Sequence, residues 1–168
     1  AVDAAQTQIT SVGTLTSFRS TGIDDNADAL AITIDSSERV GIGTTAIPHG
    51  GVGMAKLAIE GANGSTSGPH MQFTTATDDY PLLQFWNWAH DDIGIYFDSY
   101  YSTGQRSSDA GSNFNIHKDS DKLKIRYDSG IAAGSILTWN DGIVLDTAGK
   151  VGIGIDSPDG RLHVHAGS

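Results

Sequence analysis

The chain has 168 residues and a mass of 17.6 kDa, the size of one domain or two small ones. Its net charge of −10, from 20 acidic and 10 basic residues, repels phosphate backbones and anionic lipid and so argues against nucleic acid or a membrane surface as partner. With no cysteine and no apolar run near the ~20 residues of a spanning helix, thiol chemistry, disulfides and membrane insertion by a helix fall away as well.

Along the chain, alternation replaces helical periodicity, and glycine reaches 21 of 168 residues. The start, Ala1 to Asp3, has no initiator Met, basic segment or signal-type apolar core, and reads as part of a longer polypeptide. Residues 1–64 are rich in Thr, Ser, Gly and Ala, with a strand expected around Ile32 and Ile34. Residues 65–140 hold 12 of the 13 aromatic residues and are expected to bury a core of their own. There Leu82–Trp88 and Ile93–Phe97 read as neighbouring strands, and Leu123 and Ile125 mark another. Ile93, Ile95 and Phe97 share one face, the expected core, with Tyr96 opposite. Residues 141–168 form a third region. Turn signals are dense throughout, including Asp35–Ser37, Asp141–Gly142 and Asp159–Gly160. The expected class is all-β, with a β-sandwich or jelly-roll-like middle between glycine-rich strand flanks too thin to pack alone.

One internal repeat links the flanks. An apolar run, an acid, a small-residue turn and a basic residue precede Val-Gly-Ile-Gly at residues 40–43 and again at 151–154. Short strands follow each copy, at Lys56–Ile59 and Arg161–Val164. Gly41, Gly43, Gly152 and Gly154 are expected to serve structure by letting backbones of neighbouring subunits approach closely. The first copy formally fits G-x-G-x-x-A, but Pro48 and the glycines after it leave no helix to bind pyrophosphate.

Arg39–Thr45 with Pro48 and Lys56–Leu57, and Lys150–Pro158 with Arg161–Val164, resemble the VGIGTxxP…KLHV signature of viral fibres. Tail fibres and spikes of tailed phages and surface proteins of large algal viruses carry it. Gln8–Gly13, Gly22–Ala27, Gly68–Phe73, Arg106–Phe114 and Asp121–Lys124 are similar to stretches of such fibres too. The resemblance implies a parallel homotrimer on the virion surface, extracellular, bound to other virion proteins and to a host-cell glycan or receptor. It implies a structural, non-enzymatic protein in host attachment. The alternatives are a carbohydrate-active enzyme acting on a host surface polymer, and a bacterial cell-surface adhesin.

The candidate sites follow from residue chemistry. Trp86, Trp88, Tyr96 and Tyr100, with Asn87, Asp91 and Asp98, could stack sugar rings and bond their hydroxyls, or pack as core rings. Asp24, Asn26 and Asp28 form a D-x-N-x-D run that could hold Ca2+, although Ala29 stands where an EF-hand needs glycine. His163 and His165 lie two apart on a strand. Three copies around an axis would present six imidazoles, a set suited to an octahedral transition metal. The acidic pairs Asp78–Asp79 and Asp91–Asp92 fall at expected strand ends, where aspartate serves turns, and no catalytic set is assigned.

Overall fold

A computed structural model describes residues 32–47, 53 and 55–166. The chain divides into two compact units, 1–30 and 31–168, and the first lies outside the described residues, as does the Asp24, Asn26, Asp28 candidate. The class is all-β, and no helix occurs among the described residues.

Among the described residues thirteen strands form three sheets. The first sheet joins β1 (Ile32–Ile34), β2 (Val40–Ile42) and β3 (Leu57–Ile59). The large sheet contains β4 (Met71–Phe73), β5 (Leu83–Ala89), β6 (Asp92–Phe97), β9 (Ser112–Asp119), β10 (Lys122–Ser129), β11 (Asn140–Asp146), β12 (Val151–Ile153) and β13 (Leu162–Val164). Its eight strands run in the order β13-β12-β11-β10-β9-β6-β5-β4. The hairpin of β7 (Ser99–Tyr101) and β8 (Gln105–Ser107) is a separate two-stranded sheet inserted between β6 and β9. The second glycine repeat adds its strands directly to the aromatic region's sheet, so no break in the sheet falls at residues 140–141. A second large sheet, as a sandwich requires, is not present among the described residues.

Short turns set the registers. The Ser120–Asp121 turn closes β9 on β10, with Ser120 in the left-handed region at φ 53°. At the β10–β11 pairing the register shifts after Ile125, leaving Gly142 unpaired as a bulge.

The two repeats fold alike. In each, an antiparallel hairpin is followed by a parallel strand: β1-β2-β3 and β11-β12-β13. The carboxylates of Asp35 and Asp146 each accept two backbone N–H groups of the turn, from Ser37 and Arg39 and from Ala148 and Lys150. Gly43 and Gly154 both take positive φ, 69° and 67°. Gly41 and Gly152 are needed for a different reason. A Cβ at Gly41 would lie 2.3 Å from the Thr44 carbonyl oxygen, and one at Gly152 would lie 2.4 Å from that of Ile155. The crowding that demands glycine there lies inside one chain, whereas the sequence leads to an expectation of crowding between subunits. Gly152→Val should cost about 2–3 kcal/mol by overpacking against fixed backbone. Thermal unfolding checks it, with Gly160→Ala, whose Cβ meets nothing closer than 3.9 Å, as the neutral control.

Cross-strand pairing makes the large sheet two-faced. One row runs Met71, Phe85, Ile95, Ile116, Ile125, Ile143, Ile153, Val164 across all eight strands. Phe73, Leu83, Phe97, Phe114 and Tyr127 form a second apolar row, and Ile93, Leu123, Leu145, Val151 and Leu162 stand in a third that Lys118 interrupts. This face is open in the single chain; Ile116 is 39% and Leu162 63% exposed. The opposite face is covered by the β7–β8 hairpin and the segment carrying Leu137 and Trp139, and it holds the interior. The expectation that Ile93, Ile95 and Phe97 line the core of the chain is thus reversed: Tyr96 is buried, while Ile93 and Phe97 are exposed.

Candidate functional site

The interior face is polar for a core. Gln84, Asn113, Asn115 and His117 are buried there beside Trp86, Tyr96 and Val144. Polar groups at this depth need partners, and the strands supply them. His117 Nε2 lies 2.6 Å from Asp92 Oδ1, which also accepts the Trp86 indole N–H at 3.2 Å. The Arg126 guanidinium donates to His117 Nδ1, and Arg126 Nε donates to Asn115 Oδ1 at 3.1 Å. Arginine can only donate, so Nδ1 must be the acceptor and Nε2 carries the proton shared with Asp92. Burial holds the His117 pKa below its usual value, and the Arg126 charge adds to this; the Asp92 hydrogen bond opposes it without prevailing. Further along the face, Gln105 Nε2 donates to the Tyr96 hydroxyl at 3.1 Å and Gln105 Oε1 accepts the Trp139 indole. Burial raises the Tyr96 pKa. The result is a neutral imidazole and a neutral phenol locked in a structural network.

A second charged cluster ties the C-terminal repeat to the β9–β10 hairpin. Lys124 reaches Asp156 at 2.9 Å, Asp119 at 3.4 Å and Asp141 at 3.5 Å, and Lys122 pairs with Asp156. Hydrogen bonds from Lys122 and Lys124 hold Asp156 at about 2.

The seven residues expected to form a glycan face do not share one surface. Trp86 and Tyr96 are buried, at 2% and 1% exposure. Trp86 is stacked on His70, with ring centres 4.3 Å apart, and on Trp88 at 5.1 Å, and it packs against Tyr101 at 4.2 Å. Asn87 donates its side-chain amide to the Pro69 carbonyl at 2.9 Å. Asp91 and Asp98 flank β6 at opposite ends, about 20 Å apart at ~3.3 Å per residue. Asp91 is paired with Lys118, which lowers its pKa. Asp98 sits at φ 48° in the β6–β7 corner, its pKa raised by burial and then by Asp109 and Asp78. Tyr100 stacks on Tyr80, with ring centres 5.3 Å apart. Trp86 and Tyr96 therefore serve the interior, because the hairpin folds over the face they occupy, while Trp88 and Tyr100 are half-buried.

His163 of β13 pairs with Gly152 of β12 and so lies on the interior face, opposite the open apolar rows. Its Nδ1 accepts the Asp159 N–H at 3.3 Å, and His165 lies past the end of β13. No group of three or more His, Asp or Glu residues arranged to hold a metal occurs among the described residues.

Residues that sequence reasoning passed over are Gln84, His70 and Tyr101. They line a cavity of about 330 Å3 on the interior face, together with Gln72, Trp86 and Ser102. Their signal was the alternation of Gln72, Gln84 and Trp86 with apolar neighbours on β4 and β5. The chain matches no protein-family model, and comparison with curated proteins finds no match.

Proposed function

We propose that the chain is a structural subunit of a trimeric viral fibre or spike, displayed on the virion surface beside other virion proteins and engaged in attachment to host glycans. The observation that carries this reading is the open apolar face of the large sheet. At the ~4.8 Å strand spacing, eight strands make a face about 34 Å across, and strands of this length give it an area of about 700 Å2. That exceeds the apolar patch of most monomers, about 300–600 Å2, and approaches the ~800 Å2 each partner contributes to a stable interface. The small sheet presents the same chemistry through Ile32, Ile34, Ile42 and Leu57. Copies of the same chain are the natural cover, since their own faces need covering equally. Three parallel copies around one axis close these faces together and leave the polar faces outward. The VGIG resemblance supports three as the number of copies. In this arrangement His163 faces away from the axis, and the axis is apolar. The protein acts by assembly and binding rather than catalysis.

Sedimentation equilibrium at micromolar concentration tests the reading. The expected mass is three times the 17.6 kDa of the chain; a monomer would overturn it.

A further inference from the structure

The cavity on the interior face has a chemistry that nothing in the assembly explains. Gln84 is 98% buried (2% exposed), and its Oε1 accepts the Tyr101 N–H at 2.8 Å. That bond occupies Oε1, so the NH2 end, a double donor, is the polar group Gln84 has to offer the cavity it lines. Gln72, its cross-strand partner, places a second amide at the mouth. The His70 ring forms a wall and has no nitrogen to spare. Its Nδ1 accepts the Asn87 N–H at 3.2 Å, and its Nε2 donates to the Ser65 carbonyl at 3.1 Å. His70 is stacked on Trp86, and Tyr101 closes the other side. The lining contains no Asp, Glu, Lys or Arg.

The cavity suits an uncharged ligand: no charged side chain lines it, and the nearest, Arg106 behind Ser102, already donates to Ser102 Oγ, Thr103 Oγ1 and the Gly134 carbonyl. Such a ligand must carry acceptors for the Gln84 amide and further hydroxyls for Gln72 and Ser102. It must also show an apolar C–H face to the aromatic walls. We propose that the cavity is a subsite for one neutral pyranose residue, a hexose or N-acetylhexosamine lacking a carboxylate. The site deepens the attachment reading by naming its ligand class and location. It opens on the face opposite the apolar rows, so an assembly closed through those rows leaves it in solvent. The buried Trp86 acts as a backstop that orients the walls, while Tyr101 and the two amides make the contacts.

The test is saturation-transfer NMR on the assembled wild-type protein. The probes are the methyl glycosides of glucose, galactose, mannose and N-acetylglucosamine, with glucuronic acid and N-acetylneuraminic acid as anionic probes. At least one neutral glycoside should bind with millimolar affinity and neither anionic sugar should. Gln84→Met should weaken binding about tenfold, the loss of roughly one good hydrogen-bonding group, and Gln72→Ala at the exposed rim about threefold. If Gln84→Met fails to fold, Gln72→Ala and Ser102→Ala decide the matter. Silence of all four neutral glycosides, preference for an anionic sugar, or binding untouched by every folded variant would overturn the proposal. Sedimentation of the same samples separates this outcome from the trimer reading: a trimer that binds no sugar refutes the subsite alone.

Discussion

Ile125→Asp is expected to convert the proposed trimer to single chains at micromolar concentration while leaving the β-sheet circular dichroism intact. Ile125 stands at the centre of the apolar row, flanked by Ile116 on β9 and Ile143 on β11. In one chain it is 42% exposed, so a carboxylate there stays hydrated and the isolated fold tolerates it. In the proposed trimer three carboxylates would enter an apolar interface with no cation on that row. Each chain loses about 1.5–3 kcal/mol of apolar burial and buries a charge at a further cost of several kcal/mol. Summed over three chains, the penalty is on the order of 10–15 kcal/mol, against about 1.4 kcal/mol per tenfold in the association constant. Ile125→Leu keeps the volume and should keep the oligomer. Sedimentation velocity reads both variants directly. An Ile125→Asp protein that sediments with the wild type would show that this face is not the interface.

That experiment bears on how far the fold was legible in the residues. Period-two alternation marks which side chains share a face, and it placed Ile93, Ile95 and Phe97 together, with Trp86 and Trp88 on one side of their strand. It carries no information on which face another element will cover. Hydrophobicity suggested that the isoleucine face would be the interior of the chain, yet the β7–β8 hairpin covers the side of Gln84, Trp86, Tyr96 and His117. Among the described residues nothing then covers the apolar face. The repeat was legible because its turn chemistry is local: an aspartate accepting turn amides, then glycines at fixed offsets. The network of Asp92, His117 and Arg126 was not, because 25 residues separate Asp92 from His117 and only the sheet register brings them together. The Gln84 cavity was hidden for the same reason: its walls come from β4, β5 and β7, which are distant in sequence.

The interior network makes the second large prediction. Arg126 holds His117 neutral by donating to Nδ1, satisfies Asn115 through Nε, and lies over the Trp139 ring at 5.8 Å. Arg126→Met preserves much of the side chain's volume but leaves two buried acceptors, His117 Nδ1 and Asn115 Oδ1, without a donor. At about 1–3 kcal/mol for each stranded group, the variant should lose roughly 2–6 kcal/mol of stability at pH 7. The pH dependence carries a separate signature. Burial, reinforced by Arg126, depresses the His117 pKa in the folded state. Below the unfolded value of ~6.5 the unfolded chain therefore takes up a proton that the folded chain refuses. The stability contributed by the neutral imidazole is full above that pH and declines as pH falls below it, until the folded pKa is reached. Removing Arg126 deletes one cause of the depression and frees Nδ1 to accept a proton, with Asp92 still 2.6 Å from Nε2. The decline between pH 7 and pH 5 should therefore be shallower in Arg126→Met than in the wild type, although the variant is less stable at pH 7. Urea unfolding across that range, at fixed chain concentration, measures both quantities. Parallel pH profiles for the two proteins would show that Arg126 does not control the protonation of His117.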